Sequence, residues 1–301
     1  MRECQNQLEI IGELKSKTVK RAATKDGVPT IALDLVVSSK IAEDKINEVK
    51  VSLWAKQGSK LYSGYETIAN EYKTKIDNEV GDRVKISGNI DLNEFVSKND
   101  GTLISRPKFK GVFVNRLEAD STLVDSCGAV VECIIVNHQD EIKDGKITGR
   151  KLVKLYTVGY NDSIIELNDV VVRAELAKQF TQLYSINSTG KLFLEINNYA
   201  VVKEQEVQAA PTTVAFGSQL NVMPQESVVK DYINEIVIIG GDMPLATGGF
   251  TVQEIQEMTR IRNNKIQELT TATPAPSSTP NGFGAGFGSD LPSFDDADMP
   301  F

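Results

Sequence analysis

The side chains best placed to hold a ligand are aromatics set among cations. Trp54 is the only tryptophan in 301 residues. It closes the run Val49-Lys-Val-Ser-Leu-Trp54, in which aliphatics alternate with Lys50 and Ser52. Successive side chains of a strand leave on opposite faces, so Trp54 joins Lys50 and Ser52 on the polar side. Phe95, on a regular strand, shares a face with Arg83 and Lys85. Phe109 lies between Lys108 and Lys110, with Arg106 close by. An aromatic ring stacks on any nucleobase and a cation tracks phosphate, so this mixture fits single-stranded nucleic acid held without regard to sequence. Trp54, Phe95 and Phe109 are the candidate platforms. Lys15, Lys17, Lys20, Arg21, Lys50, Lys56, Arg83, Lys85, Lys108 and Lys110 are the candidate phosphate contacts. The competing use of each aromatic is packing beneath a loop.

Catalytic and metal chemistry find little to work with. His138 is the only histidine, and Cys4, Cys127 and Cys133 form no C-x-x-C pair. That argues against a zinc site, a His-based catalytic centre and a disulfide framework. Gly240-Gly-Asp-Met-Pro-Leu-Ala-Thr-Gly-Gly249 lacks the Lys-Ser/Thr ending of a phosphate loop. The expectation is a protein that is not an enzyme and needs no cofactor or metal. The first residues lack a signal-peptide core and no apolar run approaches about 18 residues, so the expected place is the cytoplasm.

The elements that must position the aromatics read as β. Leu8, Ile10, Gly12 and Leu14 alternate with Glu9, Ile11 and Glu13, and Ile31, Leu33, Leu35 and Val37 continue the period of two. Lys25-Asp-Gly-Val-Pro29 predicts a turn. Val49 to Leu53 predicts a third strand, Gly64 to Tyr72 a short helix, Val84 to Ile90 a fourth strand, Lys98-Asn-Asp-Gly101 a hairpin turn and Phe109 to Val114 a fifth strand. Three strands, a helix and a closing hairpin is the order of the OB-fold, a five-stranded Greek-key barrel. The chain as a whole is expected to be mainly β. The predicted divisions are an OB-fold over 1–117, a second over 118–206, a linker over 207–224, a strand-helix extension over 225–269 and a disordered tail over 270–301. The second set of strands is apolar on both faces, at Val130, Val131, Ile134, Ile135 and Val170 to Val172, which predicts packing against another domain or subunit. Its aromatics Tyr156, Tyr160, Tyr184, Phe193 and Tyr199 are expected in core or interface. Thr251-Val-Gln-Glu254 predicts a capped helix, suited to covering a sheet or to forming a dimer.

The net charge of −8 is unevenly spread. Residues 1–116 carry +4, residues 117–210 carry −5, residues 211–270 carry −3 and the last 31 carry −4. A polyanion would therefore meet the first domain. The tail runs from a Thr/Pro/Ser stretch through a Gly/Phe stretch to Phe294-Asp-Asp-Ala-Asp-Met-Pro-Phe301. An acidic segment ending in an aromatic carboxylate suits capture in a basic pocket with an apolar floor; the plainer use of such a tail is solubility.

That tip closely resembles the C-terminal tip of bacterial single-stranded DNA-binding proteins. Gln7 to Leu14, Asp26 to Val37, Val49 to Lys56 and Val80 to Ile90 resemble the strands of the same family. The resemblance implies base stacking at the Trp54 and Phe95 positions, protection of single-stranded DNA, and recruitment of replication, recombination and repair proteins through Phe294, Asp295, Asp296, Asp298, Met299, Pro300 and Phe301. It also implies four OB-folds per assembly, hence a possible homodimer. Departures are Asp91-Leu-Asn-Glu94 in place of a basic run, Glu48 in place of a family aromatic, and a short loop between the second and third strands; they point to a divergent, phage-encoded relative. The alternative is an OB-fold adaptor that binds protein partners without nucleic acid.

Overall fold

Three alternating stretches fold into a meander: β1 (Asn6–Ala23), β2 (Pro29–Ala42) and β3 (Lys45–Lys56). The turn after β1 places Gly27 at φ +79°, in the left-handed region that glycine tolerates. A helix, α1 (Tyr62–Glu71), leads to β4 (Arg83–Val96) and β5 (Leu103–Arg116). The computed structural model describes residues 1–43, 45–97, 99–118, 120–205 and 227–271.

The first five strands close on themselves. β1 pairs antiparallel with β2 and β4, β2 with β3, β4 with β5, and β3 runs parallel to β5. The order 1-2-3-5-4-1, with a helix between the third and fourth strands, is an OB-fold. Leu8, Ile10, Leu33, Leu35, Val51, Leu53, Ile86 and Ile90 fill the barrel. Gly111 sits where a Cβ would come within 2.9 Å of Val51 and 3.1 Å of Leu53, so the strand crosses that close only without a side chain.

The same order repeats. β6 (Ser126–Lys143), β7 (Lys146–Val158), β8 (Ile164–Val172), α2 (Ala174–Leu183), β9 (Thr189–Gln205) and β10 (Ser227–Gly241) form a second barrel. β6 pairs with β7 and β9, β7 with β8, β9 with β10, and β8 runs parallel to β10. The predicted division at 206 is corrected here: Ser227–Gly241 pairs with β9 and β8 as the fifth strand of this barrel, so α3 (Val252–Thr271) alone follows it. The whole predicted 207–224 linker and the tail tip Phe294–Phe301 lie outside the described residues.

The barrels join edge to edge through their first strands. β1 pairs antiparallel with β6 from Asn6–Val131 to Ile11–Ser126. Buried Asn47 on β3 strengthens the seam: its Nδ2 donates to the Ile196 carbonyl at 2.8 Å and its Oδ1 accepts from the Asn198 amide at 2.8 Å.

Candidate nucleic-acid interface

The outer face of β2, β3 and β5 collects the cations around Trp54. Lys20 on β1 lies opposite Ala32, which lies opposite Trp54. One row along, Thr18, Asp34, Ser52, Lys110 and Asn89 lie abreast on β1, β2, β3, β5 and β4. Lys108 pairs with Asp91, and exposed Arg106 with Asn93. Alternation buries Val51, Leu53 and Ala55 and leaves Lys50, Ser52, Trp54 and Lys56 outward. Two acids are threaded through this field. Asp34 accepts from Lys50 at 2.9 Å and from Ser52 at 2.7 Å. Burial pushes its carboxyl upward, but those hydrogen bonds outweigh it and hold the group below its ordinary value. Asp91 pairs with Lys110. Burial, reinforced by the charge of Lys110, lowers the ammonium pKa of Lys108. Phe95 leaves β4 on the Asp91 and Asn93 side, 43% exposed.

Several residues of the predicted set stand off this face. Phe109 points inward, opposite core residues Val51 and Ile90, and packs against the barrel interior. Lys17 Nζ donates to the carbonyls of Ile68, Ala69 and Tyr72, closing the C-terminus of α1. Arg21 pairs with Glu66 of that helix at 2.7 Å. Lys15 pairs with Glu48, so the family-departing Glu48 has a local partner. Arg83 and Lys85 share the side of β4 expected for Phe95, but near its other end. Arg83 binds Asp125 and the Leu123 carbonyl, and Lys85 binds Glu9. The open face thus keeps Trp54, Phe95, Lys20, Lys50, Lys56, Lys108 and Lys110, and gains Arg106. Signals for both changes lie in Lys108-Phe109-Lys110: alternation there puts the phenyl ring opposite its neighbours, with Arg106 on the lysine side.

The sequence model of the YorF family matches residues 5–272. The chain belongs to the YorF family. No curated protein matches. Among solved structures, the wild-type single-stranded DNA-binding protein of Thermus aquaticus is 13% identical, with a TM-score of 0.48 over 84% of this chain and 99% of that one. A deletion mutant of it gives 14% and 0.48, over 84% of this chain and 100% of that one. A small single-stranded DNA-binding protein of Streptomyces coelicolor is 15% identical, with a TM-score of 0.26 over 39% of this chain and 98% of that one. The fold itself rests on the strand order above.

In this YorF-family chain the second barrel presents no matching open field on the hairpin that corresponds to β2–β3. α3 lies across the outer side of β7 and β8. Ile255 and Met258 are buried with Ile134, Tyr156, Val158, Ile164, Phe250 and Cys4. The two-sided apolar strands are explained by this: Ile135 faces the barrel core and Ile134 faces the α3 layer. Tyr156 is buried there, and Tyr184 stacks on Phe180 with ring centroids 5.3 Å apart. Phe193 and Tyr160 are exposed, and Tyr199 faces the Lys45 ammonium at 5.5 Å. The predicted capping box holds, with Thr251 Oγ1 3.3 Å from the Glu254 amide and the Thr251 amide 2.7 Å from Glu254 Oε2. All three cysteines are buried and unpaired by disulfides. Among the described residues there is no cluster of metal-ligating side chains and no helix long and apolar enough to cross a membrane.

Proposed function

We propose that the first barrel binds single-stranded DNA without sequence preference, on the face that carries Trp54. The observation that carries this reading is the placement of Trp54 on one outward surface with Lys20, Lys50, Lys108, Lys110 and Arg106. Bases stack on the indole and on Phe95 while phosphates exchange for the carboxylates of Asp34 and Asp91 as partners of the lysines. In this reading the strand is held and shielded. Titration with an unstructured DNA of about 30 nucleotides, enough to span an OB-fold site, tests it directly. Quenching of Trp54 that fades steeply with salt is the expected result. Unchanged fluorescence at low salt overturns it and leaves the adaptor reading.

The acidic tip completes the reading as a recruiting segment for replication, recombination or repair proteins. Removal of Asp295 to Phe301 is expected to abolish their capture while DNA affinity holds or rises slightly. Retained capture refutes the recruiting role. Self-association is assigned to the groove where the barrels meet, which exposes Phe113, Phe193 and Ile239. Sedimentation at graded concentrations tests this: a mass that stays at one chain refutes it.

A further inference from the structure

Glu94 and Phe95 are neighbours on β4 whose side chains leave on opposite sides. Phe95 is exposed, whereas the Glu94 side chain is 3% exposed and faces α3. Arg262, itself 2% exposed, grips that carboxylate with both terminal nitrogens, at 2.7 Å from Nη1 to Oε2 and with Nη2 on Oε1. Its Nε reaches Glu166 Oε2 on β8 at 3.2 Å. Glu166 also accepts from Lys154 and Asn168, each at 2.9 Å. Lys265, one turn along α3, stands 3.6 Å from Glu94. One guanidinium therefore bridges the first barrel and the second. Its planar fork fixes the plane of the Glu94 carboxylate in a way an ammonium does not.

The ribbon that carries Phe95 needs such a hold. β1 pairs with β4 only as far as Gly88, and β3 meets β5 only at Phe109 and Lys110. Asn6 brackets Ile90 with two side-chain hydrogen bonds, to its carbonyl at 2.7 Å and from its amide at 3.0 Å. From Asp91 outward, β4 and β5 pair only with each other up to Val96 and Leu103. A two-stranded ribbon is marginal by itself. Where the strand pairing stops, the Arg262 grip begins.

We infer that Arg262 is a positioning residue for DNA: by holding Glu94 it fixes the β4–β5 ribbon so that Phe95 stands as a base platform in line with the Trp54 face. This rests on the DNA-binding reading above and adds the C-terminal helix to the site, although that helix bears none of the proposed base or phosphate contacts. On this inference a short oligomer is held chiefly at Trp54, whereas a longer one also engages the ribbon.

The test uses the full chain with Arg262→Lys, Glu94→Gln, Phe95→Ala and the Arg262→Lys/Phe95→Ala double variant, each checked by circular dichroism. Thymidine oligomers of about 6 and about 30 nucleotides are titrated against Trp54 fluorescence, one near the lower end of the roughly 4–16 nucleotides an OB-fold holds and one well beyond it. Arg262→Lys and Glu94→Gln are each expected to weaken the long oligomer about tenfold, one stacked base, and the short one less than twofold. The double variant is expected to bind no more weakly than Phe95→Ala. Equal loss at both lengths, or a double variant weakened by the product of the single effects, overturns the inference. So does a Phe95→Ala protein that binds as the parent. The DNA-binding reading itself fails only if the parent's Trp54 is unquenched.

Discussion

Two barrels of one topology treat the outer side of the corresponding hairpin in opposite ways. On β2–β3 it holds an indole, a serine and lysines, open to solvent. On β7–β8 it holds Tyr156, Val158 and Ile164 under Ile255 and Met258 of α3. The difference teaches that the strand order builds a platform but not its occupant. Side chains on the outward positions decide whether the platform meets a polyanion or a helix. Charge follows the same division, with the positive balance confined to residues 1–116.

The sharpest way to break this contrast is to loosen the helix. Met258 is fully buried, so Met258→Ala is expected to lower unfolding stability by about 2–5 kcal/mol, from lost contacts and a cavity. Chemical denaturation measures this, and titration of the folded protein with the short thymidine oligomer should show Trp54 quenching unaltered. Next in size is removal of charge from the open face. Replacing Lys50, Lys108 and Lys110 by Ala is expected to weaken single-stranded DNA binding about 100-fold at low salt and to flatten the salt slope by roughly 2, since each single-strand phosphate contact contributes about 0.7. The paired change of Lys151 and Lys191 on the second barrel should leave both quantities alone. Trp54→Ala follows, with an expected loss of about 1–3 kcal/mol in a gel-shift titration.

Acid probes the junction between the barrels. Burial favours the neutral forms of Glu94 and Glu166. The hydrogen bonds from Arg262 and Lys154 outweigh it and hold both below their ordinary range. A depressed carboxylate stabilises the fold fully above its unfolded value, about 4.3, and loses that contribution as pH falls through its folded value. The melting temperature is thus expected to drop below about pH 4, and Arg262→Lys should blunt the drop. Smallest is Asp34→Asn, which frees Lys50 from its carboxylate and should raise DNA affinity a fewfold; an unchanged titration would mean that Asp34 does not compete with phosphate.

Much of the first barrel is legible in the sequence because one face of each strand is buried and the other wet. The period of two fixed which residues of Val49 to Lys56 point outward, and the structure places Trp54 accordingly. Phe109 was grouped with Trp54 without the same test, and its ring packs against the barrel core instead. Lys17 and Arg21 escaped because their partners, the carbonyls and Glu66 of α1, depend on where a helix lands. The Asp144-Gly145 turn, with φ of 50° and 73°, joins β6 to β7 and was a readable hairpin signal. The fifth strand of the second barrel was not readable as such. Its parallel partner β8 lies well back along the chain and residues 206–226 separate it from β9, so no local pattern tells a closing strand from the start of a new unit.

The pairing of β1 with β6 has a consequence for dilution. Two separate chains joined by that ladder would part as concentration fell, and identical ones would carry the same surface twice. Here the partner strands share one backbone, so the encounter is intramolecular and persists in a single molecule. Asymmetry then carries no assembly penalty: one copy of the fold can keep its outer face open to solvent while the other becomes the seat of a helix.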